Sequence, residues 1–157
     1  MNQVDNIDED FQRDILDSIE KVYQWSKKRD YKGWDPYDGL NSKLTNKLAK
    51  NDMLALLMIQ LNLYSPINLR KVLGIKKGVS NKGLALFARA YAKLHDVTGD
   101  PEYRDEAERI LERLEKRSVS EDDKAWASYY FEYVSSNHYL GPDVPDIVGT
   151  TEAIKSY

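Results

Sequence analysis

The 157-residue chain has no cysteine, only two histidines, and no apolar run approaching the roughly 20 residues that a membrane-spanning helix needs. Without cysteine, disulfides, thiolate catalysis and cysteine-ligated zinc or iron–sulfur sites are excluded. His95 and His138 lie 43 positions apart and no carboxylate series has calcium-loop spacing, so neither a metal site nor a cofactor is expected. The N-terminus, Met1-Asn2-Gln3-Val4-Asp5, lacks the basic-then-apolar order of a signal peptide, and a cytoplasmic location is the default expectation. No charge of one sign dominates: 23 basic and 26 acidic residues interleave to a formal charge of -3. No basic stripe is left to neutralise a phosphate backbone, so neither nucleic acid nor a membrane is an expected partner.

Sustained alternation of apolar and polar residues is also missing, which makes the expected class all-α. The length and a hydrophobic content of 41% suit one soluble helical domain over residues 1–157, with a site loop at 30–42 and a second loop region at 118–145. From Asp8 to Arg29, Phe11, Ile15, Ile19, Val22 and Trp25 recur at steps of three and four, predicting an amphipathic first helix with an acidic start and a basic end. A second helix is predicted from about Leu44 to Tyr64; its later part, Met53 to Leu63, is apolar nearly all round, as in a helix enclosed by others. Pro66 predicts the start of a short helix through Leu73, stopped by Gly74. Leu84–His95 and Pro101–Arg117 read as two helices joined at Gly99-Asp100-Pro101, forming a helical hairpin. Ser120-Glu121-Asp122-Asp123 has the composition of a helix cap; the aromatic run Trp126–Tyr139 predicts part helix and part loop; a last helix is expected to start near Asp146 and still run at Tyr157.

The densest concentration of binding-type side chains is the loop Trp34-Asp35-Pro36-Tyr37-Asp38-Gly39-Leu40-Asn41-Ser42, which sets two rings and two carboxylates between helices. Four stretches then follow in one order: Trp34–Leu40, Asn81-Lys82-Gly83-Leu84-Ala85, Thr98-Gly99-Asp100-Pro101-Glu102-Tyr103, and Pro142–Ala153. That order resembles the front of a prokaryotic α/α-toroid group with six-hairpin glycosidase-like architecture, found among polysaccharide and glycan genes. The resemblance covers most of the chain after Asp30 and implies antiparallel helical hairpins in a partial α/α toroid. It departs from the group at Trp126-Ala127-Ser128-Tyr129-Tyr130, where such proteins read Trp-Gly-Tyr. A complete toroid needs about a dozen helices, so the resemblance implies an N-terminal half. That half is either part of a longer protein or covers its apolar helix faces by self-association.

Asp35 and Asp38, three apart around Pro36, are spaced for an acid–base pair in which one carboxyl stays protonated, and His138 is a further acid or base. Their alternative role is local, because Asp before Pro and Asp-Gly form turns and cap helices. Trp34, Tyr37, Trp126 and Tyr130, with Tyr129 and Tyr139, offer flat faces for sugar rings, against the ordinary fate of aromatics as core. Lys82 would reach an anionic group or stay solvated; His95 reads as a helix-end cap. The resemblance would point Thr150, Thr151 and Glu152 toward the toroid axis, whereas on their own they make an ordinary helix start. The expected function is therefore binding or processing of a carbohydrate in a cleft of carboxylates and rings. The alternative is a non-catalytic helical assembly module; lipid chemistry, which some toroids host, lacks an aspartate-rich motif here.

Overall fold

The computed structural model describes residues 9–120, 122–135, 138–142 and 144–157. Asp8, Glu121 and Asp143, which the sequence places at helix starts and in a motif, lie outside them. The chain divides into two compact units, Met1–Lys32 and Gly33–Tyr157. Among the described residues the fold is mostly helical, with one two-stranded ribbon. Among the described residues no helix is long and apolar enough to cross a membrane.

The first unit is helix α1, Glu9–Lys27, with its C-terminal turn. Local pairs brace its surface: Gln24 Nε2 donates to Glu20 at 2.7 Å, and the Arg29 guanidinium lies 4.1 Å from the Trp25 ring centre. Asp30 and Tyr31 stop it in the left-handed region, with φ of 51° and 57°.

In the second unit, the sequence 38–64 forms two short 3₁₀ turns, Asp38–Leu40 and Asn46–Lys50, and then helix α2, Asp52–Tyr64. Asn51 separates turn from helix: its extended backbone breaks the winding, and its side chain accepts the Leu54 N–H as N-cap. Leu40 of the first turn joins Ala55, Ile59 and Val134 in a core cluster. The turn can come this close because residue 39 is glycine, whose hypothetical Cβ would lie 2.9 Å from Met58 O and from Ile59 Cα. Helix α2 is not enclosed as its sequence predicts. Only Ala55, Ile59 and Asn62 are buried, while Met53 and Tyr64 are 75% and 76% exposed, because the neighbours of α2 cover one side of it.

Helix α3, Arg70–Leu73, starts four residues later than Pro66 predicts. The Ser65 hydroxyl donates to Ile67 O and accepts the Ile67 N–H, closing a side-chain turn that competes with helix there. Gly74 ends α3 in the left-handed conformation, as expected. Helices α4, Asn81–Thr98, and α5, Pro101–Glu115, form the predicted hairpin. Ser80 caps α4, left-handed Gly99 ends it, Asp100 caps α5 and Pro101 occupies its first turn. Ala88, Tyr91 and Leu94 of α4 and Ala107, Ile110 and Leu114 of α5 are buried, and the Tyr91 and Tyr103 rings stack across the pair. His95 does serve this turn, its Nδ1 lying 3.1 Å from Asp100 O.

Trp126–Tyr139 contains no described helix, contrary to expectation. Its backbone is claimed by side chains from elsewhere: Asn81 Nδ2 donates to Ala127 O, Ser80 Oγ to Ser128 O, and Trp126 N–H to Thr150 Oγ1. The run ends in an antiparallel ribbon, β1 Tyr133–Val134 and β2 Tyr139–Leu140, with Tyr133 opposite Leu140. Helix α6, Ile147–Ile154, begins after Asp146 and packs on α4. It stops at Ile154 rather than running on, and the Ser156 hydroxyl takes the Ala153 carbonyl. Gly149 lets α6 approach the run, since a Cβ there would lie 2.7 Å from Trp126 O and 2.8 Å from Ser128 N.

Gly39→Ala and Gly149→Ala each place a methyl group against backbone that cannot swing aside, so each is expected to lower stability by about 2 kcal/mol. Urea unfolding tests this; an alanine variant as stable as the parent at either position would contradict the close approach described.

Candidate functional site

The two aspartates of the site loop have different environments. Asp38 is fully buried, in the 3₁₀ turn that faces α2. Its Oδ1 accepts from Asn62 Nδ2 at 2.8 Å and from Arg70 Nε at 2.9 Å; its Oδ2 accepts from Asp35 N–H at 3.1 Å and from Arg70 Nε at 3.2 Å. Burial pushes this carboxyl above the ordinary aspartate value, against the opposing pull of Arg70, Asn62 and the Asp35 N–H. Every group around it is a donor from the protein, so Asp38 organises the loop and does not line a cleft. Arg70 Nη2 also donates to Asp35 O at 2.9 Å, fixing the backbone of the neighbouring aspartate.

Asp35 instead lines a cleft of about 510 Å³. One of its oxygens accepts the Tyr37 N–H at 2.9 Å, and the other has no partner among the described residues. The same cleft gathers Tyr37, Lys82 and His138, three more of the sequence candidates, from the site loop, the first turn of α4 and the ribbon. Tyr129 and Tyr133 complete an aromatic wall. Their rings stack at 4.5 Å between centres, and Tyr37 meets Tyr133 edge to face at 5.8 Å. Burial raises the Tyr129 hydroxyl to about 12, with the nearby Tyr133, Asp35, Tyr37 and Asp146 adding to the effect, so it stays a neutral donor. Ser80, Ser128 and Ser135 supply hydroxyls along the lining.

Asp146 also borders the cleft, but both of its oxygens are committed. Oδ1 accepts from Val148 N–H, Gly149 N–H and Ser128 Oγ, and Oδ2 from Ser128 N–H at 2.6 Å. Burial works to raise its pKa, yet the donors at Gly149, Ser128 and Val148 outweigh it and hold the carboxyl below its ordinary value.

The other candidates lie elsewhere. Trp126 is core, 2% exposed, with its indole N–H donating to Leu114 O at 2.7 Å. Trp34 lines a separate hollow of about 440 Å³ beside Arg70, its ring 4.6 Å from Lys77 Nζ. Tyr130 points away from the candidate cleft: its hydroxyl donates to Gly33 O at 2.9 Å, and its ring lies over Gly78, which bridges to Gly33. Glu152, on α6, pairs with Arg89 of α4 and with Lys155 just past the end of α6, outside the cleft. Sequence reasoning missed Tyr133 and the serines, which carry no local signal, and it gave Asp146 only the capping part of its role. Among the described residues no three His, Asp or Glu side chains gather as a metal site would require. Comparison with family models, curated proteins and solved structures gives no match.

Asp38→Asn leaves the Arg70 guanidinium without its buried counter-charge and is expected to lower stability by about 3 kcal/mol, whereas Asp35→Asn, which keeps the acceptor for Tyr37 N–H, changes it by less than about 0.5 kcal/mol. Equal losses in denaturant unfolding would contradict this division of roles. Asp146 gives a pH signature. Its folded pKa lies below the unfolded value of about 3.9, so its stabilisation is complete above that value and is lost as pH falls through the folded pKa. The Tm deficit of Asp146→Asn is therefore expected to shrink between about pH 6 and about pH 3; a deficit constant with pH would rule the ionised cap out.

Proposed function

We propose that the Gly33–Tyr157 unit binds a carbohydrate in the cleft formed by the site loop, the start of α4 and the ribbon. One observation carries this reading: three tyrosine rings converge there with a carboxylate oxygen, an ammonium and an imidazole, none of which is consumed by a buried ion pair. Flat apolar faces edged by polar groups suit a pyranose, which presents C–H faces and a rim of hydroxyls. The hairpin α4–α5 with α6 against it is in keeping with a partial α/α toroid, and that finer architecture belongs to the same proposal.

Binding is favoured over glycosidic hydrolysis. Hydrolysis by paired carboxyls needs one as proton donor and one as nucleophile or base. Asp38 is sealed under the loop and Asp146 is saturated by four donors, which leaves Asp35 as the cleft carboxylate with a free oxygen among the described residues. A second reading, self-association, draws on the open apolar side of α2 at Met53, Leu57, Leu61 and Tyr64.

Titration of the chain with neutral gluco-, xylo- and manno-oligosaccharides, followed by calorimetry, tests the first reading. At least one series is expected to bind, and Lys82→Ala with His138→Ala should weaken it about tenfold with little effect on Tm, since neither side chain makes a hydrogen bond with a described residue and Lys82 has only a through-space attraction to Glu152. Absence of binding at millimolar sugar would overturn the proposal. Light scattering on the same sample decides the second reading: a discrete dimer supports it, and a monomer at working concentration removes it.

A further inference from the structure

A second cleft, of about 550 Å³, lies beside the same segment that walls the first, and no residue lines both. Its lining holds three lysines, Lys43, Lys47 and Lys76, and one carboxylate, Glu132, which accepts the Tyr139 hydroxyl. None of the three ammonium groups makes an ion pair or hydrogen bond with a described residue.

The scaffold that holds these charges together is built by hydrogen bonds. Ser42 Oγ accepts the Thr45 N–H and meets Thr45 Oγ1 at 2.9 Å, while Asn46 N–H donates to Ser42 O, which winds the chain so that Lys43 and Lys47 flank one turn. Asn41 Nδ2 donates to Lys76 O at 2.8 Å and Lys76 N–H returns to Asn41 O, which brings the third lysine from a loop 35 residues away. Tyr130 forms a fixed wall, since its hydroxyl is tied to Gly33 O. Three like charges at one concave surface repel one another in the free protein and are relieved by an anion.

We propose that this second cleft holds the carboxylate of an acidic saccharide, an inference that rests on the carbohydrate reading of the first cleft. Three lysines against one glutamate leave the cleft with a positive balance that suits a saccharide's carboxylate. Asn41 Oδ1 and the Asn46 carboxamide leave acceptors and donors for ring hydroxyls. The cleft presents no aromatic pair to sandwich a base, because Phe131 is buried and Tyr130 is held by its hydroxyl.

The test is calorimetry on the full chain at low ionic strength, with trigalacturonate, its methyl ester, sulfate and uridine monophosphate as probes. The acid is expected to bind about tenfold tighter than the uncharged ester, with the advantage fading as salt is raised. In Lys43→Gln/Lys47→Gln/Lys76→Gln, whose exposed side chains leave the fold intact by Tm, that advantage should vanish while ester binding persists. If acid and ester bind equally, or the advantage survives in the triple variant, this inference falls and the carbohydrate reading stands. If neither galacturonate probe binds but sulfate or the nucleotide does so through the lysines, the second cleft is a general anion site and this inference falls, while the first cleft's reading is decided by the neutral oligosaccharides.

Discussion

The second unit depends on one buried carboxylate. Asp38 receives donors from its own loop, from α2 through Asn62 and from α3 through Arg70, so three stretches of chain meet at two oxygen atoms. A charged group this far from water is tolerated because each lone pair it exposes inward is met by a donor, one of them cationic. The arrangement also extends outward. Arg70 grips the Asp35 carbonyl, and Asp38 holds the Asp35 N–H, so the residue at the cleft is positioned from behind by the residue that is not. Carboxylates three apart thus divide the work: one is fixed inside and the other is presented outside.

A second set of polar contacts holds the aromatic run. Ser80 and Asp146 each cap a helix and also bind Ser128, while Asn81 and Thr150 hold Ala127 and Trp126. The starts of α4 and α6 are therefore stitched to one irregular strand between them. Tyr129 and Tyr133 owe their place in the cleft to this strand, not to any local preference for a turn. Capping groups that serve two elements explain how an extended, weakly periodic segment keeps its backbone satisfied without a full sheet.

Much of this fold was legible in the sequence, and the failures have definite causes. The amphipathic period of α1, the Gly99-Asp100-Pro101 turn and the Asp146 start were readable because capping and periodicity act over a few residues. Trp126–Tyr139 was not, because its conformation is set by hydrogen bonds from Ser80, Asn81 and Thr150, far away in sequence. Helix α2 misled for a related reason: its all-round apolar composition reported what the residues favour, not how many neighbours the fold provides. At the site, the sequence suggested a cleft of Asp35, Asp38, Trp34, Tyr37 and Trp126, of which Asp35 and Tyr37 share a cleft, joined there by Lys82 and His138. Trp126 lay beside a break in the helical pattern, but its indole N–H found the Leu114 carbonyl and drew the ring into the core.

The Gly33–Gly78 bridge and the tyrosine over it have a dynamic consequence. The Tyr130 hydroxyl reaches back 97 residues to the Gly33 carbonyl, and its ring fills the space that a side chain at 78 would take. Contacts of such sequence separation form late, because the whole intervening loop must already be closed. The amides of Gly33 and Gly78, paired with each other beneath that ring, should exchange with solvent only when the aromatic run detaches. The two ends of the unit would then open as one cooperative element, although they share almost no local sequence.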